Sequence, residues 1–397
     1  MSSVSPTPSD VRELRARVSE TLHAQWMPEG YTAPNNVVYP WQWLWDSCFH
    51  TLIWLALGDE ERALRELTHA LSAQDEESGF VPHMNYERGP DTHATFWGRT
   101  GASSITQPPM FGHALAECVR RGVTVPDELI DRALRGITFL LRRRARHLTS
   151  GLVLLAHPWE SGADDSPRWD DLCPDGISAE HWYRRKGELV ASIVRSASGA
   201  PIANPSCVVA SAGFNALIAF NAYELSAIAA DEQIQREADE LVGYLDQRWD
   251  RDVVSWIDAG ETEHGSGRVR TLDALLPLLV TRDGTARARA HRSLCDPSEY
   301  GAAFGPCGVH RDEAVFAPDT YWRGPSWPQL NYLCWLATRR AGDVAVSQQI
   351  ARQTVAGALR SELAEYWEPD TAHGLGAIPQ SWTGLALVMA PDVQGRV

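Results

Sequence analysis

The chain has 397 residues, of which 44% are hydrophobic, and a formal net charge of −15 at pH 7. This length provides for a large core in one big domain or two ordinary ones, while the negative charge argues against nucleic acid and anionic membranes as partners, because both attract clustered Lys and Arg. No stretch approaches the roughly 18 apolar residues that span a bilayer, and the N-terminus lacks the apolar core of a signal peptide, so we expect a cytoplasmic protein.

Apolar residues that recur every three or four positions predict helices along most of the chain. The first covers Ser9–Trp26, with Ser9 as its cap, and the second is the nearly continuous apolar run Leu44–Leu57, which Gly58 ends. Further helices are predicted, in chain order, at Asp59–Ala73, Met110–Arg120, Asp127–Arg146, Ser206–Ala229, Asp231–Trp249, Thr271–Val280, Thr285–Leu294, Pro325–Arg340, Asp343–Tyr366 and Ser381–Ala390.

Long loops rich in Gly, Pro and aromatic residues separate these helices, notably Met27–Trp43 and residues 75–107. No alternating pattern predicts a series of strands, although short hairpins in loops such as Val253–Thr262 would escape this kind of pattern. The fold class is therefore all-α. A single (α/α)6 barrel, with residues 1–397 as one domain, satisfies these observations, because each helical hairpin buries its apolar face against its neighbours. The aromatic-rich loops would then form a cleft at one rim.

Nothing in the sequence indicates a metal or a cofactor. The seven cysteines are odd in number, widely scattered and free of C-x-x-C spacing, which indicates neither a disulfide framework nor a zinc site. His50 lies one helical turn after Asp46, but no second ligand stands at metal-binding spacing, so we interpret it as a packed or hydrogen-bonded histidine. Glycine-rich phosphate-binding loops are absent as well.

Four loop stretches combine tryptophan with a carboxylate, a guanidinium or an amide. Sugars demand this combination, since their C–H faces stack on indole rings while their hydroxyls need fixed donors and acceptors. Any one stretch could be an ordinary turn or an Arg stacked on a Trp, but together they favour a carbohydrate-binding cleft. The four are Tyr39–His50 (YPWQWLWDSCFH), His157–Trp169 (HPWESGADDSPRW), Tyr321–Asn331 (YWRGPSWPQLN) and Glu365–Thr383 (EYWEPDTAHGLGAIPQSWT).

In these four stretches the chain resembles glycoside hydrolase family 63, in particular its compact bacterial branch of mannosylglycerate and glucosylglycerate hydrolases. The resemblance runs in order from about Tyr31 to Leu387. It implies a single (α/α)6 barrel and hydrolysis of an α-glycosidic bond with inversion.

The resemblance also implies two catalytic carboxyl groups. The general acid of the family motif E-S-G-x-D-N-S falls on Asp164; this chain carries Asp165 where the family has Asn, so Asp165 stays open as an alternative. The general base of the motif E-Y-x-x-P falls on Glu365, with Glu368 as a nearby competitor. Burial among tryptophans, next to a second carboxylate such as Glu160 or Asp165, would keep the acid protonated near neutral pH.

By the same resemblance, two groups of residues are expected to bind substrate. The group expected to hold the sugar is Trp43, Trp45, Asp46, Trp159, Arg323, Trp327, Gln380 and Trp382, and the group expected to surround the leaving group is Tyr39, Tyr86, Gln107, Tyr321 and Trp322.

The resulting hypothesis is an inverting α-glycosidase that acts on a small anionic solute, glucosylglycerate or mannosylglycerate, with Arg195, Arg168 and Arg99 as unranked candidates for meeting the anion. Three alternatives stay open. A trehalase-like or oligosaccharide α-glucosidase would differ mainly in the leaving-group pocket. A sugar epimerase would use histidine pairs, and a non-catalytic sugar-binding protein would lack one of the two carboxyl groups. A homo-oligomer is compatible with the sequence, which specifies no interface.

Overall fold

The computed structural model describes residues 6–173 and 178–393. Thirteen α-helices lie within these residues. They are α1 Pro8–Ala24, α2 Leu44–Leu57, α3 Glu60–Ser72, α4 Ala94–Trp97, α5 Phe111–Arg120, α6 Asp127–Arg142, α7 Ala179–Ala191, α8 Ala212–Ala229, α9 Glu232–Asp246, α10 Gly284–Cys295, α11 Pro328–Arg340, α12 Val344–Arg360 and α13 Leu385–Val393.

The helix ends differ from the sequence prediction where capping chemistry decides them. Helix α1 begins one residue early, because Thr7 caps it: the Thr7 hydroxyl accepts from the Asp10 amide at 3.3 Å and the Asp10 carboxylate accepts from the Thr7 amide at 2.6 Å. Helix α8 begins well after the predicted Ser206, because Ser211 is its cap and bonds the Phe214 amide. Periodicity alone places such boundaries poorly, since apolar loop residues continue the pattern.

Two helices were missed by the sequence analysis. The one that matters for the site is α7, in which Ser178 caps the helix by accepting from the His181 amide. The sequence of α7 carries charged residues on most of its turns. Its apolar residues therefore form a stripe too narrow to be recognised as a helical repeat. The second is the single turn α4, within the loop of residues 75–107.

Six helical elements form a closed inner ring. Helix α2 contacts α5, α5 contacts α8, and α8 contacts the 3₁₀ helix Asp273–Leu279; that 3₁₀ helix contacts α11, α11 contacts α13, and α13 returns to α2. The outer layer consists of α3, α6, α9, α10, α12 and α1, each packed on the inner ring. The expected (α/α)6 barrel is therefore confirmed.

Burial explains which helices are inside. Every residue of α2 from Leu44 to Leu55 is buried, whereas α3 buries one stripe that includes Ala63, Leu67 and Ala70. A helix that is apolar on all faces must be surrounded by other helices, and one with a single apolar stripe belongs on the surface. No helix in the described part of the chain is long and apolar enough to cross a membrane.

Within the described residues, strands form five short antiparallel pairs in the loops. Two strands, Ser255–Trp256 and Ala259–Gly260, lie in the Val253–Thr262 region where strands could escape prediction, and each pairs with a strand outside it. The pairs are β1 Gln42–Trp43 with β2 Met84–Asn85, β3 Val194–Arg195 with β4 Pro201–Ala203, β5 Val209–Ala210 with β8 Ala259–Gly260, β6 Trp249–Asp250 with β7 Ser255–Trp256, and β9 Tyr366–Trp367 with β10 Gly374–Leu375.

The four tryptophan-rich stretches share one position in the ring. Each lies in a connection that leads into an inner-ring helix: Tyr39–His50 into α2, Tyr321–Asn331 into α11 and Glu365–Thr383 into α13. His157–Trp169 leads toward α8 but ends well before it, with α7 between them. Because an antiparallel outer helix follows most inner helices, the inner helices run in the same direction and their N-terminal ends meet at one rim. The loops therefore converge on a cleft there.

Candidate active site

A cavity at this rim is enclosed by residues from all four tryptophan-rich stretches, and we call it the inner cavity. Its walls bring together side chains more than 300 residues apart in the chain. They are Pro34, Tyr39, Trp43, Trp45, Asp46, Gln107, Gly162, Asp164, Tyr321, Trp322, Glu365, Gln380 and Trp382.

Asp164 lies on one wall of the inner cavity, partly exposed to it. Burial raises the pKa of its carboxyl group from 3.8 to about 8, with a further rise from the negative charges of Asp165 and Glu365 and an opposing effect of Lys186. The Tyr321 hydroxyl donates to its Oδ2 at 3.5 Å. Asp164 therefore keeps its proton at neutral pH, the state that a general acid requires.

Buried hydrogen bonds fix the loop that carries Asp164. Glu160, fully buried, accepts from both terminal nitrogens of Arg144, at 2.9 and 2.7 Å, and from the Ala156 amide at 2.7 Å. The expectation that Glu160 raises the pKa of Asp164 is not supported, because its charge is neutralised by Arg144. Trp169 does not line the cavity; its indole donates to the Ala163 carbonyl at 2.6 Å and fixes the backbone beside the acid.

Asp165 and Glu368, the two competing carboxylates, both lie outside the inner cavity. The Asp165 carboxylate accepts from Lys186 and from the Trp182 indole, each at 2.9 Å. Glu368 accepts from the Asp370 and Thr371 amides and so stabilises a tight turn. In each pair of candidates, the residue that lines the inner cavity is the preferred one: Asp164 and not Asp165, Glu365 and not Glu368.

Glu365 lies on the wall of the inner cavity and is buried, with 3% of its surface exposed. The Ala377 amide donates to its Oε2 at 2.9 Å and the Tyr39 hydroxyl to its Oε1 at 3.2 Å. Burial raises the pKa of this carboxyl group, and the two donors partly offset that rise by stabilising the anion. The group is thus fixed in orientation, with one oxygen held by the backbone.

Asp46 is a third carboxyl group on the cavity wall. Burial, with the charges of Glu365 and Asp164, raises its pKa to about 7, and His50, one turn along α2, opposes this rise. His50 is itself buried and shares a 2.6 Å hydrogen bond through Nε2 with the Ser381 hydroxyl. This confirms a hydrogen-bonded His50, and within the described residues no group of three or more His, Cys, Asp or Glu could hold a metal ion.

The inner cavity also presents polar atoms that lack a protein partner among the described residues. They are the indole Nε1 of Trp43, the indole Nε1 of Trp322 and the amide Oε1 of Gln380. Unpaired buried polar groups are costly unless a ligand or water satisfies them. Two donors and one acceptor beside three carboxyl groups match the surface of a polyhydroxylated ring.

A second cavity, which we call the outer cavity, adjoins the first and has a volume of about 410 Å³. The two cavities share Tyr39, Trp43, Gln107 and Asp164. Asp164 therefore lies at their junction, where a bond between a sugar in one cavity and its leaving group in the other would be. The remaining lining residues are Val38, Pro40, Trp41, His83, Met84, His93, Phe96, Trp97, Trp159 and Tyr183.

The structure redistributes several residues that the sequence analysis assigned. Trp159, expected beside the sugar, lines the outer cavity, whereas Tyr321 and Trp322, expected around the leaving group, line the inner cavity. Trp327 lines neither: it is fully buried and stacks on Trp322 with ring centroids 3.8 Å apart. It thereby supports Trp322, whose backbone has a left-handed φ of 58°.

Two further assigned residues lie outside both cavities. Arg323 forms a two-pronged ion pair with Asp170, at 2.9 and 2.5 Å, which occupies its guanidinium. Tyr86 is buried below Trp41 and donates to the Arg99 carbonyl at 2.5 Å.

None of the three arginines considered for the anion lines either cavity. Arg168 is fully buried and paired with Asp258. Arg195 donates to the Ser104 hydroxyl and to backbone carbonyls, and the guanidinium of Arg99 lies over the Phe80 ring.

Sequence reasoning missed most of the outer cavity. His83, Phe96 and Trp97 come from the loop of residues 75–107, whose aromatic content was the available signal. Trp41 stands within the first tryptophan-rich stretch and could have been included. Tyr183, 67% exposed, lies on α7, which gave no signal.

Comparison with known proteins agrees with this geometry. The family model of the mannosylglycerate hydrolase MGH1-like glycoside hydrolase domain matches residues 39–383. A mannosylglycerate hydrolase from Thermus thermophilus is 28% identical, covering 89% of this chain and 94% of the relative. A glucosylglycerate hydrolase from Mycolicibacterium hassiacum is also 28% identical, covering 90% of this chain and 93% of the relative.

A solved structure is similar over nearly the whole chain. It is the glycoside hydrolase family 63 mannosylglycerate hydrolase of Thermus thermophilus in complex with Tris and D-glycerate, with a TM-score of 0.79, 25% identity, and coverage of 95% of this chain and 99% of that one. The complex of that enzyme with glucose gives a TM-score of 0.80 at the same identity and coverage.

Proposed function

The chain belongs to the mannosylglycerate hydrolase MGH1-like glycoside hydrolase family, and we propose that it is an inverting α-glycosidase that hydrolyses glucosylglycerate or mannosylglycerate to the hexose and glycerate. The observation that carries this proposal is the placement of Asp164 and Glu365 on the wall of one cavity, with Asp164 also on the wall of the next. The hexose would occupy the inner cavity and glycerate the outer one.

In the proposed mechanism Asp164 is the general acid. Its raised pKa keeps the proton available, and its place at the junction lets it protonate the oxygen that leaves with glycerate. As the C–O bond breaks, positive charge develops on the sugar ring. The carboxylates around the inner cavity stabilise that charge.

Glu365 is the proposed general base. It would remove a proton from a water that attacks the anomeric carbon on the face opposite the leaving group, which inverts the configuration. The Ala377 amide and the Tyr39 hydroxyl fix the orientation of the carboxylate. Since Glu365 must be ionised, its raised pKa predicts that activity falls at acid pH.

The sugar would be held by the wall opposite the bond. Asp46 can accept from ring hydroxyls, and the unpaired atoms of Trp43, Trp322 and Gln380 supply two donors and one acceptor. Trp45 and Trp382 pack edge to face with ring centroids 5.8 Å apart and form an apolar side for the C–H face of the ring.

The carboxylate of glycerate would be met beside the outer cavity. Lys186 does not line this cavity: its ammonium is paired with Asp165 at 2.9 Å and lies 5.2 Å from the ring centroid of Trp159, a lining residue, so it would act on the glycerate carboxylate only as a nearby positive charge. Gln107 and Tyr183 supply neutral donors within the cavity.

Two variants and a matched control test the proposal. Asp164→Asn and Glu365→Gln should each lower kcat by about 10²–10⁴-fold, the usual contribution of general acid–base catalysis, whereas Glu368→Gln should retain activity. Proton NMR of glucosylglycerate or mannosylglycerate turnover should show the β-anomer of the hexose first. Full activity of either cavity variant, or initial release of the α-anomer, contradicts the assignment.

A second candidate substrate class is favoured by the composition of the outer cavity. None of its described lining residues is Lys or Arg, and burial lowers the pKa of His83 to about 3 and also lowers that of His93, so both are neutral at pH 7. A neutral leaving group, such as a second hexose, would fit this aromatic surface. Comparing glucosylglycerate with glucosylglycerol, trehalose, kojibiose and nigerose separates the two classes.

The proposal includes one catalytic domain spanning residues 1–397 and action in the cytoplasm on a small-molecule substrate. Assembly as a homo-oligomer is compatible with it. Sedimentation velocity measures the mass in solution.

A further inference from the structure

Asp165, the residue after Asp164, is at the centre of a partly buried cluster: its side chain is 32% exposed and that of Lys186 11%, and neither residue lines the inner or the outer cavity. The Asp165 carboxylate accepts through one oxygen from Lys186 Nζ and from Trp182 Nε1, each at 2.9 Å. The Lys186 ammonium lies 5.2 Å from the Trp159 ring centroid and 5.6 Å from that of Trp182. An ammonium between two indoles and a carboxylate is held in one position.

We propose that Asp165 is a positioning residue which, with Lys186, sets the pH at which Asp164 gives up its proton. This inference rests on the proposed role of Asp164 as the general acid. Asp165 does not touch the substrate cavities, and it would act only through its neighbour. The motif of glycoside hydrolase family 63 that this stretch resembles has Asn where this chain has Asp165.

The charges that face Asp164 come from several elements. Asp165 follows it in the chain, and Lys186 lies on α7. Glu365 and Asp46 line the inner cavity together with Asp164; the Tyr321 hydroxyl bonds Asp164 itself, and the Tyr39 hydroxyl bonds Glu365.

Among the charged neighbours, Asp165 has the largest effect on the pKa of Asp164 and raises it, while Lys186 has the next largest and lowers it. The Asp165 carboxylate and the Lys186 ammonium are hydrogen-bonded to each other. Removing either charge therefore changes the net charge next to Asp164. Their balance decides how strongly Asp164 retains its proton.

A purely structural role for the cluster makes a different prediction. If the ion pair only braces the loop, removing either partner loosens the same contact, and both variants lose activity in the same way. If the pair tunes Asp164, the two variants act with opposite sign, because one removes a negative charge and the other a positive charge.

The test is the pH dependence of kcat/KM in Asp165→Asn and Lys186→Met. Removing the negative charge should move the alkaline limb about one pH unit downward, and removing the positive charge should move it upward by a similar amount. The double variant should return toward the wild-type limb. The acid limb, which Glu365 controls in the proposed mechanism, should move less in all three.

The matched control is Glu188→Gln on the same helix. Glu188 is half exposed and pairs with Arg185 at 3.2 Å, away from both cavities, so its variant should keep the wild-type profile. Thermal unfolding of every variant establishes that it is folded at the assay temperature. If Asp165→Asn does not fold, Lys186→Met carries the test alone: an upward shift supports the proposal and an unchanged limb refutes it.

The outcomes separate this inference from the proposed function. Opposite shifts of the alkaline limb support the tuning role; unchanged limbs, shifts in the same direction, or complete loss of activity in Asp165→Asn overturn it. An inactive Asp164→Asn alongside unshifted Asp165→Asn and Lys186→Met refutes only the tuning role. A fully active Asp164→Asn removes the proposed acid itself.

Discussion

Replacing Asp164 by Asn should lower kcat by about 10²–10⁴-fold and at the same time stabilise the protein, increasingly so as the pH rises. In the unfolded chain this carboxyl ionises near 3.8, whereas in the folded protein burial raises its pKa to about 8. A raised folded-state pKa gives stability that is fully present below pH 3.8 and is lost as the pH rises toward 8. The amide of Asn cannot ionise, so it does not lose that stability.

The size of the effect follows from the two pKa values. Each pH unit between them is worth about 1.4 kcal/mol in the free energy of unfolding. At pH 7 this amounts to at most ~4 kcal/mol, and water in the cleft reduces it, since Asp164 is partly exposed; we expect about 2–4 kcal/mol. With an unfolding entropy of about 2 cal/mol/K per residue, a chain of 397 residues should gain about 2–5 °C in Tm.

Differential scanning calorimetry of wild type and Asp164→Asn between pH 4 and pH 8.5 measures this directly. The difference in Tm should be close to zero at pH 4 and should grow steadily to neutral pH. Asp250→Asn is a control of opposite sign, because the Val253 amide and Arg268 lower the pKa of Asp250; that variant should be less stable than the wild type by an amount that is nearly constant above about pH 4 and shrinks only as the pH falls below it. A Tm difference for Asp164→Asn that is constant with pH, or a destabilisation at pH 7, would refute the argument.

Three further outcomes follow from the same geometry. The kcat/KM of the wild type should decline above about pH 8 as Asp164 ionises, and a profile that stays flat to pH 10 would contradict its role as acid. Gly162→Ala should lower both Tm and kcat, because the φ of Gly162 is +77° and an added Cβ would lie 2.6 Å from an indole ring of the inner cavity. The control is Gly199→Ala, where φ is +86° but an added Cβ would meet no neighbouring atom. That variant should cost only about 1 kcal/mol of backbone strain and leave kcat unchanged. Ser381→Ala leaves His50 Nε2 without its 2.6 Å hydrogen-bond partner and should lower the free energy of unfolding by ~1–3 kcal/mol. It should also raise KM more than it lowers kcat. If KM equals that of the wild type, this hydrogen bond has no role in shaping the sugar-binding side of the inner cavity.

Most helices could be predicted from the sequence, because a helix that packs against others needs apolar residues at regular spacing on its buried face. The apolar run of α2 and the striped pattern of α3 differ as inner and outer helices must. Helix α7 could not be read in this way, because it lies over the cleft and buries only a narrow face. Its residue Tyr183, which lines the outer cavity, and Lys186, whose ammonium lies 5.2 Å from the ring centroid of Trp159, were therefore missed.

The site could be predicted as a set of residues but not as an arrangement. The tryptophan-rich stretches identified both candidate carboxyls, yet no spacing in the sequence says that Trp159 faces the outer cavity while Trp327 lies behind Trp322. Arg323 has the residue type that suits a sugar, but its partner Asp170 is 153 residues away in the chain. Side-chain direction depends on such long-range partners, which local patterns do not contain.

The sequence by itself determined the fold class, the family resemblance and the chemical character of the loops, since these depend on local periodicity and on residue type. Only the tertiary structure decided that Asp164, and not Asp165, faces the cavity, and that Glu365 stands on the wall of the same cavity. The physical reason is ring closure: α13 packs against α2, and this contact brings the two ends of the chain together. Burial in the resulting cleft then raises the pKa values of both carboxyl groups.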